Sequence, residues 1–496
     1  MKNTLKSTLA TATALLVLSG CAFTFGNTTT ALAETTGTGT VTASTAAASA
    51  ATLRAAVSER DASGEYDAAE AVTLSPDGDV TIDKAGVYIL TGTYTKTIVV
   101  EAGEEDKVQL VLKNATLNNE SGPAIYVRSA DKVFLTAAEG TENSITDGAG
   151  YTLTDGDTEI DAAVFSKADL TINGAGKLTI TGKYKHAVVS KDDLVVTAKA
   201  LTISAANVGL NGKDSVTISD AAVSIQAGSD GIRSDNDTDA SRGYIAVADS
   251  TLTIEAGNDG IQAETGFAAE NAVLHIVSGG GSSARTSASD ESCKGIKAGS
   301  SIVIQGGSYD IDAQDDAIHT NGSLSILDGS FKLQSRDDGL HADEKAVISG
   351  GTLSISGAEG IEATYILLSG GEISISATDD GVNAARKSTA YTPTVEITGG
   401  TLNITMGAGD TDAIDSNSDL IISGGSINIT GNSAFDYDGS GSFTGGTVTV
   451  NGQQITTLPN QMMGGRGGMG GMNGMNGMNG MNGQNGMGGF PGGWRG

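Results

Sequence analysis

The residues best suited to chemistry in this 496-residue chain are carboxylates that recur in short turns. Asp315-Asp316, Asp337-Asp338 and Asp379-Asp380 each precede a Gly or Ala and then an aliphatic residue, and Asp230, Asp259, Glu359 and Asp412 hold the same place in further copies. If the copies stack as neighbouring strands do, equivalent carboxylates lie ~4.8 Å apart. Two of them then repel by roughly 3.5 kcal/mol at an effective dielectric of 20, and by under ~1 kcal/mol in water. Such a row is either splayed into solvent or bridged by a cation. Calcium binds about six to eight oxygens from carboxylates, carbonyls and water, so Asp315, Asp316, Asp337, Asp338, Asp379 and Asp380 are candidate calcium ligands. Turn chemistry alone is the competing account, because Asp tolerates the left-handed backbone and caps its own turn.

A second row lies two residues beyond each Gly or Ala. It reads Asn211, Arg233, Gln262, Lys297, His319, His341, Glu362, Asn383, Asp415 and Asp436. These side chains alternate with buried aliphatics and so point outward, with basic groups in the middle of the row and acids beside them. Arg233, Lys297, His319 and His341 are candidate contacts for an anionic polymer whose own carboxylates are paired with them or bridged by calcium to the aspartates. A solvated strand face accounts for the same pattern. His319 and His341 sit one repeat apart, but four histidines in the chain and no cysteine nearby argue against zinc. Aromatic residues make up 4%, and the one tryptophan, Trp494, lies near the C-terminus, so an acidic glycan is favoured over a neutral surface that needs flat aromatic platforms.

The elements that must position these residues are repeats. The turn marker recurs from Ala187 through Gly209, Gly231, Gly260, Gly295, Ala317, Gly339, Gly360, Gly381, Ala413 and Ala434, mostly at steps of 21 or 22 residues. Longer steps carry polar insertions such as Ser234–Arg242, Gly279–Ser292 and Ala385–Pro393. Periods of this size indicate a solenoid. Within each repeat, runs such as Ser323-Leu324-Ser325-Ile326 and Glu372-Ile373-Ser374-Ile375 alternate polar and apolar residues, the signature of strands with one face buried. Gly-Gly pairs, among them Gly350-Gly351 and Gly424-Gly425, suit tight corners. The expected fold is all-β, a right-handed parallel β-helix solenoid with about 22 residues per coil over residues 66–458. Ile232, Ile261, Ile296, Ile318, Leu340, Ile361, Val382 and Ile414 would form one interior ladder.

The two ends differ from this body. Lys2 and Lys6 precede an apolar run from Leu9 to Leu18 that is too short for a stable membrane span. Leu18-Ser19-Gly20-Cys21 resembles a bacterial lipobox, so residues 1–20 are expected to be a lipoprotein signal peptide with Cys21 as the lipidation site. Ordinary secretion after cleavage at Ala33 is the alternative. Residues 21–65 form an Ala/Thr/Ser-rich spacer, with a short helix expected around Ala46–Arg60, and residues 459–496 a flexible Gly/Met/Asn tail. Cys293 is left as a lone thiol, expected to be a small buried hydrophobe. A net charge of −30 excludes nucleic acid as the default partner. The expectation is a monomer at the cell surface, touching the membrane only through its lipid.

With these motifs in place, the chain resembles the bacterial carbohydrate-binding β-helix family. The likeness is carried by Ala85-Gly86-Val87-Tyr88-Ile89-Leu90-Thr91-Gly92, Val108-Gln109-Leu110-Val111-Leu112, Ala124-Ile125-Tyr126-Val127, Ser190-Lys191-Asp192-Asp193-Leu194, Gly212-Lys213-Asp214-Ser215-Val216 and the repeated Asp-Gly-Ile steps, over about residues 72–452. Tyr184-Lys185-His186-Ala187-Val188 departs from the pattern, which puts a metal site in that repeat in doubt. The resemblance implies calcium, pectin (polygalacturonate) and cellulose as ligands and a likeness to pectate lyases. Lyase chemistry needs a basic residue beside the calcium, and Arg233, Lys297 and Arg336 lie in no lyase signature. Hydrolysis needs two facing carboxyls, whereas adjacent residues of an extended strand face opposite ways. The expectation is therefore a non-enzymatic, calcium-dependent binder of acidic polysaccharide. A passive calcium-stiffened surface rod or adhesin and a pectate-lyase-like enzyme are the alternatives.

Overall fold

The computed structural model describes residues 57–152, 159–284, 292–409 and 411–459. The expected signal peptide, Cys21, Ala33, most of the expected spacer and the tail from residue 460 lie outside the described residues. The first element is a short helix, Glu59–Ser63, at the end of the segment expected to be helical. Ser58 caps it by accepting the Asp61 amide while Asp61 accepts the Ser58 amide, and Gly64 closes it with φ 61°. This turn is pinned to the sheet. Asp61 pairs with Lys132 at 2.8 Å, and Thr171, Asn173 and Thr197 donate to its carboxylate or carbonyl oxygen.

The rest is strand. Among the described residues, forty strands belong to one hydrogen-bonded sheet, and their pairings are parallel except for the last, Thr447–Val450 against Gln453–Ile455. The sheet closes into a 12-strand parallel β-barrel with many extra strands, which corrects the expected right-handed β-helix solenoid of about 22 residues per coil. The misjudged feature is the corner. Strands such as Lys107–Asn118, Gly266–Ser278, Ser301–Ala313 and Ser323–Ser335 run through positions where the repeat implies a break. Gly306 and Gly307 bend one of them with φ of 78° and 100°, so pairing continues around the bend instead of ending in separate faces. Period-2 alternation reports which side of a strand is buried, not how the sheet closes.

Register, by contrast, follows the repeat. Leu210, Ile232, Ile261, Ile296, Ile318, Leu340, Ile361, Val382, Ile414 and Phe435 pair in sequence and are fully buried. A one-residue slip would turn this whole ladder outward, so the aliphatic core holds every neighbouring row in place. Cys293 is buried, a small core residue whose thiol donates to the Gly257 carbonyl at 3.7 Å.

Candidate functional site

The row beside the core ladder is also in register. Asn211, Arg233, Gln262, Lys297, His319, His341, Glu362, Asn383, Asp415 and Asp436 lie one beneath the next. The row is recessed: His341, Glu362, Asn383 and Asn211 are buried, and none of the ten is fully exposed. What covers it is the acidic row itself, since Asp230, Asp259, Asp316 and Asp338 are each at most 4% exposed. Their outer oxygens meet the row at 2.6–3.7 Å, in the pairs Asp338–His341, Asp316–His319, Asp230–Arg233 and Asp259–Lys297.

The inner oxygens cap the next repeat. Asp259 donates its amide to Asp230 Oδ1, Lys294 to Asp259 Oδ1, Asp338 to Asp316 Oδ1 and Asp412 to Asp380 Oδ1, at 2.7–3.3 Å. Turn chemistry and a charged row are thus the same residues: one oxygen satisfies a buried amide and the other is left for a cation.

The middle of the row has its cations built in. Lys294 Nζ lies 2.7 Å from both Asp315 Oδ2 and Asp316 Oδ2. Burial works to raise Asp316, but the His319 hydrogen bond and the Lys294 charge outweigh it and hold the carboxyl well below the usual carboxylate range. His341 Nδ1 touches Asp338 Oδ2 at 2.6 Å and Glu362 Oε2 at 3.0 Å. Burial opposes its charge, yet these hydrogen bonds push the imidazole up to about 10. Burial, with Asp316 and Glu362 nearby, moves Asp338 to about 7, while Glu362 is held down against burial by His341 and by Lys387 at 2.8 Å.

The C-terminal end is different. Among the described residues, no basic group lies within ion-pair distance of Asp379, Asp380, Asp412, Asp415 or Asp436. Burial, and then the neighbouring Asp379 and Asp412, pushes Asp380 up to about 6; burial with Asp380, Asp436 and Asp412 pushes Asp415 up to about 7. Asn383 Oδ1, Asp412 Oδ1 and Asp436 Oδ1 are buried without a hydrogen-bond partner, as are the Thr411 and Ser433 hydroxyls. Five acids and three orphaned carboxyl or amide oxygens in one run describe a place for a hard cation.

A family model for carbohydrate-binding domain-containing proteins matches residues 76–339 and 335–458, more than half of the sequence. The chain belongs to this carbohydrate-binding family. A carbohydrate-binding domain-containing protein of Acetivibrio thermocellus is 32% identical over 129 residues, 26% of this chain and 45% of the relative, so the match spans less than half of that protein's length. A solved structure, the polysaccharide lyase-like protein from C. thermocellum in a gadolinium derivative, is 31% identical and covers 44% of this chain and 86% of its own, with a TM-score of 0.38.

Within this family member, the predicted residues fall into two groups. His319 and His341 are brought together, their rings stacked at 4.4 Å, with Asp316 and Asp338. Arg233 and Lys297 lie on the same row but are held by Asp230, Asp235 and Asp259. Asp315 and Asp337 are beside Asp316, whereas Asp379 and Asp380 lie further along with Asp412 and Asp415. Three sets of residues were missed. Lys294 occupies the acidic place in Lys294-Gly295-Ile296, a substitution visible in the repeat itself. Lys387 comes from the Ala385–Pro393 insertion, and nothing in the sequence shows where that insertion folds. The third is aromatic: the outward row continues back through Val189 and Phe165 to Tyr126. Lys167 and Arg128 lie over Tyr126 and Lys191 over Phe165, at 5.2–5.7 Å from the ring centroids. Tyr309 stacks on Phe331 inside the core, whereas Tyr126 and Phe165 meet edge-on at 6.1 Å beside it.

Proposed function

We propose that the protein binds acidic polysaccharide, polygalacturonate-like in chemistry, through calcium held at the C-terminal end of the acidic row, and does not cleave it. The observation that supports this reading is the unbalanced run from Asp379 to Asp436, whose buried Asn383, Asp412 and Asp436 oxygens have no partner. Calcium suits an all-oxygen donor set and keeps coordination positions for a ligand carboxylate. Arg233 and Lys297, half-exposed further along the row, would pair with the same polymer. Asp315 and Asp316 are weaker calcium candidates, because Lys294 already neutralises them.

Burial of the paired acids supports binding without cleavage. Asp338 and Glu362 have opposed proton affinities, as an acid and base pair would. Both are buried and tied to one imidazole, so neither faces a sugar bond. On this reading the protein acts outside the cell, lipid-anchored at Cys21 or secreted after Ala33. The test is retention of the full chain on insoluble polygalacturonate in calcium and then in excess chelator, with Asp412→Asn/Asp415→Asn beside it. Retention that chelator abolishes, with circular dichroism unchanged, and that the double variant lacks, is the expected result. Retention indifferent to calcium, or no retention at all, overturns the proposal and leaves a passive surface protein. Release of unsaturated sugar ends would instead reveal a lyase.

A further inference from the structure

We infer that Asp316, His319, Asp338 and His341, with Glu362, form a binding site for a transition metal of the zinc class, separate from the calcium run. Two triads of possible ligands share His341: Asp316, His319 and His341, and Asp338, His341 and Glu362, each with its ligand atoms within 4.8 Å of one another. Nitrogen donors distinguish this cluster from the all-oxygen C-terminal run, since imidazole favours zinc, cobalt or nickel over calcium.

The outer contacts of the two rings carry the inference. Nδ1 of each histidine faces carboxylate oxygen, at 2.8 Å for His319 and at 2.6 and 3.0 Å for His341. Nε2 of each also faces an acceptor, Asn321 Oδ1 at 2.9 Å and Asp343 Oδ1 at 3.2 Å. The two rings stack at 4.4 Å, which sets both Nδ1 atoms beside the carboxylates. One divalent ion among the Nδ1 atoms and the carboxylates would displace the protons shared there, which leave to solvent. The remaining Nε2–H groups then donate to Asn321 and Asp343, the outer acceptor that metal-bound histidines ordinarily have. Ligand atoms now 2.6–3.0 Å apart would open to roughly 3.3 Å around a tetrahedral ion with bonds of about 2.0 Å. Lys294 and Lys387 reach Asp316 and Glu362 from outside and balance the carboxylate charge.

The test is equilibrium dialysis of the full chain against zinc in millimolar calcium, with cobalt as a spectroscopic substitute. Copper is avoided because the Met-rich tail supplies soft ligands of its own. One zinc per chain that calcium does not displace, and cobalt absorption bands typical of imidazole–carboxylate coordination, are expected. His319→Gln/His341→Gln should weaken zinc by more than about 100-fold while calcium binding, read by the same dialysis, is unchanged. Asp412→Asn/Asp415→Asn should do the reverse, so failure of one site is distinguishable from failure of the other. Absence of cobalt bands in the native chain, or equal zinc in the histidine variant, overturns the assignment, and the first readout needs no variant to fold.

Discussion

Replacing Lys294 by methionine removes a charge and little volume, and tests whether the middle of the acidic row depends on a built-in cation. The side chain is 12% exposed, and its ammonium lies 2.7 Å from both Asp315 and Asp316. At an effective dielectric of 20 each pair is worth about 6 kcal/mol of gross attraction. Desolvation of the lysine offsets much of this, and Asp315 is partly screened by water at 30% exposure. Breaking a buried pair while its acids stay behind costs about 3–5 kcal/mol, and the exposure of Asp315 favours the lower figure. A cooperative body of about 400 residues loses roughly 0.8 kcal/mol per degree at its midpoint, so ~3 kcal/mol corresponds to about 4 °C. Thermal and denaturant unfolding at pH 7 in chelator, followed by circular dichroism, measure it.

The deficit should depend on pH in one direction. Folded Asp316 titrates below the unfolded value of about 3.9, so the stability it supplies is present above about pH 4 and is lost as pH falls further. Wild type and variant should therefore converge in acid. Millimolar calcium should return part of the deficit to the variant only, by taking the place the ammonium vacates. A deficit below ~1 kcal/mol at pH 7, or one unchanged at pH 3, would refute the view that Lys294 substitutes for a metal.

Two further outcomes are expected. Asp380 and Asp415 are raised to about 6 and 7, so without calcium the folded state holds extra protons and the melting temperature should fall as pH rises from about 4 to 7. Saturating calcium should flatten that slope, and a slope identical in chelator and calcium would count against the C-terminal site. Gly339→Ala should cost about 1–3 kcal/mol by overpacking, because the added methyl would lie 2.1 Å from Ile355 Cγ2, yet calcium-dependent retention should persist.

The fold and the site were legible to different depths. The register of the core ladder and of the polar row beside it could be read from the 21- or 22-residue steps, and each pairs as the spacing implied. Lys294 could have been noticed, since it breaks the acidic pattern at a known position. Recession of the row could not. Whether His341 points into solvent or lies under Asp338 depends on side-chain packing between repeats, which spacing does not encode. Tyr126 and Phe165 escaped notice because Pro123 and Ala162 stand where most later repeats carry an acid.

Sequence alone determined which residues share a row, because period-2 alternation decides the face and a constant repeat length decides the rung. It also determined that the rows carry more acid than base, a matter of composition. Tertiary structure decided how the sheet closes, because hydrogen bonding through the glycine bends is a property of the assembled strands. It decided, too, where the charge is balanced. Lys387 reaches Glu362 from an insertion, Lys294 spans two neighbouring acids, and no basic group meets Asp380, Asp412 or Asp415 among the described residues. Electrostatic energy falls off with distance through a medium that the fold itself creates, so the same count of charges gives a closed ion-pair network in the middle of the row and an unbalanced one at its end.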